Sequence, residues 1–162
     1  MTVRRAARPR TDLPNRRPEL DSVNRAILTA LAEDARLSMS ELGRRVGMSA
    51  PAVRDRVGRL EETGAIRGYR ADIDPAAVGL PVAVWVRIKP GPLQLEKIAA
   101  LAERTPQVSE CYRISGEDCF LMKVHVPSVM DIGALLDRFL PHGQTNSSIV
   151  VGTPIAARPP AG

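Results

Sequence analysis

Six arginines fall between residues 36 and 60, at Arg36, Arg44, Arg45, Arg54, Arg56 and Arg59, and only Glu41 and Asp55 oppose them in that span, a local net charge of +4. Clustered guanidinium groups complement a phosphate backbone. A solvated helical surface carries the same charge, so the arginines alone do not choose between the two readings. The other chemistry-bearing residues are sparse. His125 and His142 stand alone, with no Cys or carboxylate at ligand spacing, and read as surface or satisfied residues. Glu117 and Asp118 are adjacent, so in a hairpin their carboxylates diverge. Cys111 and Cys119 are too few for a disulfide framework and read as small buried hydrophobes. A hairpin turning at residues 116 to 118 sets Cys111 opposite about Lys123, so the two thiols do not face each other across a metal. Gly116 is isolated, and Gly64 to Gly68 lacks the strand-to-helix setting of a phosphate-binding loop. No catalytic residue, metal site or cofactor is expected.

Spacing decides what the arginines serve. Leu20, Val23, Ile27 and Leu31 recur at intervals of three and four with Asp21 placed to cap, which predicts a helix to about Asp34. Ser38 followed by Glu41 fits a capping box, opening a short helix with Leu42 and Val46 on its buried face. Gly47 supplies the left-handed backbone that ends it; Ser49 caps a third helix, with Pro51 tolerated in the first turn because amides there lack helical partners. On that helix Val53, Val57 and Leu60 form one stripe. Pro51, Ala52, Arg54, Asp55 and Arg59 lie off it. Two helices joined by a tight turn, the second apolar on one side and arginine-bearing on the other, are how a small domain sets side chains into a DNA groove. Arg54 and Asp55, nearest the helix start, are the base-edge candidates, and Arg59 is placed for phosphate. Arg56 sits beside the apolar stripe, where a salt bridge inside the domain and a DNA contact are equally open. Arg44, Arg45 and Ser49 flank the turn and complete the DNA-facing set. Ile66 to Ile73 reads as a pair of short strands around Arg67-Gly68, a wing from which Arg67 and Arg70 reach phosphate, although a plain linker fits as well.

At 162 residues and 44% hydrophobic, the chain can bury one substantial core or two small ones. No run approaches the roughly 18 apolar residues of a membrane span, and the first 18 residues lack the apolar stretch of a signal peptide, so a cytoplasmic protein is expected. Residues 1–74 hold 15 basic and 11 acidic residues; residues 75–162 hold 8 and 7. Positive charge is concentrated at the front. Residues 1–19, with six arginines and little apolar volume, are expected to be a disordered basic tail.

Beyond Pro81 the hydrophobic period changes from helical to two. Val82, Val84, Val86 and Ile88 alternate with Ala83, Trp85, Arg87 and Lys89 up to Pro90-Gly91-Pro92. A helix bearing Leu95, Ile98, Leu101 and Ala102 follows, then strands at Val108–Ser115 and Cys119–Val126 joined by Gly116-Glu117-Asp118. Ser128 and Asp131 form a second capping box before a helix with Ile132, Leu135, Leu136 and Phe139, and residues 144–153 make the last strand. The order βαββαβ predicts a ferredoxin-like sheet with both helices on one face. Its other face, Trp85 included, then lies open, and burying it against a second copy predicts a homodimer. The fold class is α+β. It comprises a winged helix-turn-helix domain at 20–66, a wing and linker strand at 67–80, a βαββαβ domain at 81–156 and a short tail at 157–162.

Ser38 to Leu42, Gly47-Met48-Ser49, Arg56-Val57 with Arg59-Leu60-Glu61, and Gly64-Ala65-Ile66 with Gly68-Tyr69 resemble the Lrp/AsnC (feast/famine) transcriptional regulators over about residues 20–156. The resemblance implies binding to double-stranded DNA and a RAM-type sensor domain for a small-molecule effector, usually an amino acid. It also implies dimers that assemble further, to an octamer or similar. Members carry a Gly-x-x-Asp element in the loop after the second strand. Here Gly116 fits, Glu117 and Asp118 follow, and Cys119 occupies the aspartate's place. A carboxylate there would hold an amino group, whereas a thiol offers a weak donor and apolar volume. Thr145, Ser147 and Ser148 on the last strand add hydroxyls that either complete a polar site or face solvent. The alternative function is a ligand-binding or assembly protein whose helix-turn-helix serves as a protein-interaction surface.

Overall fold

In the computed structural model the described residues are 20–157. The expected tail at 1–19 and residues 158–162 lie outside them. Two compact units meet between Arg70 and Ala71. The boundary falls within the segment read as wing and linker.

The first unit holds three helices, each opened by a side chain that satisfies a free backbone amide. Asp21 accepts the N–H of Asn24 at 2.7 Å and starts α1 (Ser22–Glu33). Ser38 accepts the N–H of Glu41 at 3.1 Å and starts α2 (Met39–Val46). The reciprocal half of that capping box is not made: the Glu41 carboxylate pairs with Arg44 and, at 3.6 Å, with Arg45. Two guanidinium groups a turn ahead are stronger partners than one neutral amide. Gly47, at φ 71°, ends α2 in the left-handed conformation, and Ser49 accepts the N–H of Ala52 at 3.4 Å to open α3 (Ala50–Glu62). Ile27, Ala30 and Leu31 of α1, Leu42 of α2 and Val53, Val57 and Leu60 of α3 form the unit's core. Each large side chain of this kind taken fully out of water contributes about 1.5 to 3 kcal/mol.

The expected pair of strands around Arg67-Gly68 does not form; residues 67–74 carry no regular secondary structure. The N–H of Ile66, which would begin the first strand, is spent on the carbonyl of Leu60 at the end of α3, at 2.9 Å. The segment is pinned by a side chain instead, with the Tyr69 hydroxyl donating to Glu61 at 2.9 Å.

The second unit is a four-stranded antiparallel sheet with two helices: β1 (Val82–Pro90), α4 (Leu95–Glu103), β2 (Val108–Arg113), β3 (Phe120–Val126), α5 (Asp131–Asp137) and β4 (Gly143–Ile149). The strand order β2-β3-β1-β4 is the ferredoxin-like arrangement. Val84, Val86 and Ile88 of β1 and Phe120, Met122, Val124 and Val126 of β3 face one core together with Ile98 and Ala102 of α4 and Leu135 and Phe139 of the α5 region. Both helices therefore cover the same face. Ala83, Trp85, Arg87, Leu121, Lys123 and His125 alternate onto the other.

Three local expectations change in this unit. The loop Ser115–Asp118 is closed by Ile114 donating to the carbonyl of Cys119 at 3.0 Å, so the hairpin centre lies between Gly116 and Glu117. From Glu110 to Arg113 every partner then moves by one residue, and Cys111 stands opposite Met122, not Lys123. Cys111 is exposed on an edge strand while Cys119 is half-buried against the core, so only Cys119 behaves as the small buried hydrophobe expected of both. At Ser128 the carboxylate of Asp131 accepts both the N–H, at 3.0 Å, and the hydroxyl, at 2.7 Å. That is half of the expected box: the Ser128 hydroxyl donates to the Asp131 carboxylate, α5 begins only at Asp131 with no side-chain cap, and the N–H of Asp131 goes to the backbone carbonyl of Ser128 at 3.2 Å.

Candidate nucleic-acid interface and effector region

The turn between α2 and α3 is as tight as the fold permits. The carbonyl of Gly43 accepts the N–H of Met48 at 2.9 Å, and a Cβ on Gly43 would lie 2.5 Å from the carbonyl oxygen of Met48. Only glycine fits where the two helices cross the turn. Nothing in the local hydrophobic pattern points to Gly43, because its requirement comes from backbone packed five residues away.

The turn and the stripe of valines orient α3 so that Ser49, Pro51, Arg54, Asp55 and Arg59 are exposed and Ala52 is half-buried. Among the described residues Arg54, Asp55 and Arg59 enter no ion pair, so their charged groups are available to a partner. Arg44 and Arg45, in the last turn of α2, are exposed but tied to Glu41, and Arg45 also approaches Glu33 at 3.8 Å. Arg67 is exposed beyond α3. Arg56 differs from the others: one guanidinium nitrogen donates to Asp21 at 2.6 Å and to Asn24 at 3.0 Å, bridging α3 to the start of α1. Of the two readings open for Arg56, the structure contains the intradomain salt bridge. The bond from Arg56 holds the Asp21 carboxyl below its usual range, helped by the N–H of Asn24.

In the second unit Gly116, at φ 104°, and exposed Glu117 lead the hairpin turn, with Asp118 and Cys119 half-buried after them. Lys89 of β1 donates to Glu117 at 2.9 Å. This bond lowers the Glu117 pKa and raises that of Lys89. Cys119 makes only sulfur contacts of 3.9 Å to the carbonyls of Gly116 and Glu117. Among the described residues Asp118 makes no ion pair within contact distance, although its charge, after that of Glu117, also helps raise the Lys89 pKa.

Thr145 and Ser147 do not join this group. They pair with Ile88 and Val86 and therefore share the helix-covered face, whereas Lys89 and Ser148 belong to the open face. Thr145 is also two strands away from β3, about 10 Å. The polar site expected from these hydroxyls and the turn is thus divided between two faces, a consequence of the strand period that single-residue polarity does not report. A separate shallow depression of about 340 Å³ is lined by Glu96, Lys97, Ala100, Leu101, Arg104 and His142 and includes no residue of the turn. Among the described residues no group of three or more His, Cys, Asp or Glu side chains is placed to hold a metal ion.

Two domain families match this chain. Residues 20–61 match the AsnC-type helix-turn-helix domain and residues 82–160 the Lrp/AsnC ligand binding domain. The chain is 37% identical to the transcriptional regulator LrpA of Mycobacterium tuberculosis, over 83% of this chain and 91% of that one. It is 32% identical to the transcriptional regulator LrpC of Bacillus subtilis, over 82% and 92%. The solved structure of B. subtilis LrpC superposes with a TM-score of 0.82 at 30% identity, covering 86% of this chain and 99% of that one. A feast or famine regulatory protein of M. tuberculosis, solved in complex with L-methionine, superposes with a TM-score of 0.80 at 36% identity, over 86% and 97%. With a DNA-binding helix-turn-helix ahead of an antiparallel effector-binding sheet, this chain belongs to the Lrp/AsnC family of transcriptional regulators.

Proposed function

We propose that this regulator acts in the cytoplasm as an amino-acid-responsive switch, not as a catalyst, and that it binds a two-fold symmetric DNA site as a homodimer that assembles further, to an octamer or similar. Arg54 and Asp55 read base edges. Arg59, Arg44, Arg45 and Arg67 bind phosphates, and Ser49, Pro51 and Ala52 bring the first turn of α3 against the groove. Arg56 holds α3 on α1. The observation that carries this reading is the contrast along α3 between Arg54, Asp55 and Arg59, exposed and outside any ion pair among the described residues, and Arg56, which is spent inside the domain.

The effector contact belongs to the β2–β3 turn, where Glu117 is engaged by Lys89 and Cys119 lies against the core. That leaves the Asp118 carboxylate, beside Gly116, to take the ammonium group of an amino acid, one position ahead of the aspartate in the family's element. A relative solved with L-methionine supports an amino acid as the class. Effector binding shifts the packing between dimers, and with it the spacing of the DNA-binding domains, by a coupling of about 1 to 3 kcal/mol.

The test pairs DNA selection with ligand screening. Selection from a random duplex library retrieves a two-fold symmetric site, and Arg54→Ala relaxes the preference at one position in each half. At least one of the twenty amino acids raises the melting temperature of the full chain, and Asp118→Asn removes that rise. An unselective library, or stabilisation that survives Asp118→Asn, overturns the corresponding half of the proposal.

A further inference from the structure

We infer that Lys89 takes the carboxylate of the amino acid whose ammonium group Asp118 holds, and that it does so by exchanging its bond to Glu117 for one to the effector; the inference rests on the reading of the β2–β3 turn as the effector contact. An α-amino acid carries both of its charges on one carbon, so a site that holds its ammonium group needs a cation close by for its carboxylate. Lys89 Nζ donates to Glu117 at 2.9 Å, and Glu117 directly precedes Asp118, with Cα atoms about 3.8 Å apart. The charge of Asp118, after the bond and charge of Glu117, also raises the Lys89 pKa, so one ammonium group already answers to both carboxylates. Other cations near this end of the sheet are placed elsewhere. Arg113 lies over the Phe120 ring, 4.8 Å from its centroid, and Lys123 approaches Glu110 at 3.8 Å. Arg87 stands opposite Leu121, with the Ile88 and Phe120 pair between it and the turn.

The lysine leaves the sheet from fixed backbone. Lys89 pairs with Gln144 of β4, and the next loop is tied down by the N–H of Gly91 donating to the carbonyl of His142 at 2.8 Å. A Cβ on Gly143 would overlap the Lys89 carbonyl oxygen, so β1 and β4 are locked together at this point. Glu117 sits on the turn instead, with its side chain 83% exposed against 48% for Lys89. Ion pairs this open to water are weak. A carboxylate delivered beside Lys89 by the bond between Asp118 and the effector's ammonium group competes at high effective concentration and displaces Glu117 into solvent. The pair is thus a latch between β1 and the turn, released when the effector arrives.

The full chain is screened against the twenty amino acids by thermal shift, and the one that raises the melting temperature most is compared with its α-carboxamide and its decarboxylated amine. Both derivatives keep the group for Asp118 and lack the one for Lys89, so neither is expected to stabilise the protein. That comparison needs no variant. Lys89→Met is expected to abolish the rise, Lys89→Arg to retain it, and Arg87→Gln to respond as the parent does. Glu117→Gln frees Lys89 in advance and is expected to tighten binding by up to about 5-fold in isothermal titration calorimetry. The inference is overturned, provided that Asp118→Asn still removes the rise, by a rise that survives Lys89→Met, by equal stabilisation from the carboxamide, by loss of the rise in Arg87→Gln instead, or by weaker binding to Glu117→Gln. A rise that survives Asp118→Asn, or no rise with any of the twenty, overturns the reading of the turn and the inference with it.

Discussion

Gly43 offers a substitution whose sign, and not merely its size, follows from the structure. A Cβ at this position would sit 2.5 Å from the backbone oxygen of Met48, where ordinary contact begins at 3.4 Å, so the turn must open by about 0.9 Å. That oxygen belongs to a residue whose own N–H is bonded to Gly43 at 2.9 Å, so the displacement also strains the bond closing the turn. Forcing a methyl group into packed structure costs about 1 to 3 kcal/mol, and alanine's helical preference returns about 1 kcal/mol. Gly43→Ala is therefore expected to destabilise the first unit by up to about 2 kcal/mol. Gly58 is the internal control. It lies within α3 with no atom inside 4 Å of a built Cβ, so Gly58→Ala gains the helical preference without the clash and stabilises by up to about 1 kcal/mol. At about 4 to 8 °C per kcal/mol for a small domain, a gap of up to about 3 kcal/mol sets the two variants up to about 12 to 24 °C apart, on opposite sides of the parent. Far-ultraviolet circular dichroism follows the helices. Fluorescence of the single tryptophan, Trp85 of β1, reports the second unit and should not move. A Gly43→Ala variant that melts at or above the parent, or two shifts of the same sign, refutes the account of the turn.

Two further predictions concern charge. Asp21→Ser keeps a capping oxygen for α1 but loses the bond to Arg56, while Asp21→Ala loses both, so melting temperatures should fall in the order parent, Ser, Ala. Because the Asp21 pKa is held below its ordinary 3.8, its contribution is present above that pH and is lost as pH falls through the folded value. Acid titrations of the Asp21→Ala variant should lack that component. In the second unit, burial and then Lys123 lower the pKa of His125, whose Nδ1 is buried without a hydrogen-bond partner. The unfolded chain consequently binds the proton more readily just below pH 6.5. Stability should drop on acidification through that range, and His125→Gln should flatten the profile; an unchanged slope contradicts this assignment.

What could be read from the sequence was local. Asp21, Ser38 and Ser49 cap their helices because capping is decided within three residues, and Gly47 adopts the left-handed conformation its position demands. The alternation along residues 82–88 placed β1 and separated its two faces, since the side-chain period of two is a local property of a strand. Features that depend on distant partners were hidden. The destination of Arg56 is set by Asp21 and Asn24, more than thirty residues away in sequence. The need for glycine at position 43 arises from backbone across the turn, and Lys89 finds Glu117 only once β1 and β3 are paired. The wing failed because Ile66 is captured by the end of α3, which a residue pattern does not encode. The divided positions of Thr145 and the turn follow from strand order rather than from composition.

The central claim is that α3 divides its arginines between DNA and the fold. Its most direct test measures affinity for the selected DNA site and melting temperature together for Arg54→Ala and Arg56→Ala. Loss of a base-edge arginine is worth about 1 to 3 kcal/mol, so Arg54→Ala should weaken binding by about 5- to 150-fold with no change in melting temperature. Arg56→Ala should instead lower the melting temperature of the first unit, and its effect on affinity at temperatures well below melting should be the smaller of the two. Parental affinity in Arg54→Ala, or a larger loss of affinity in Arg56→Ala with unchanged melting, would contradict the account.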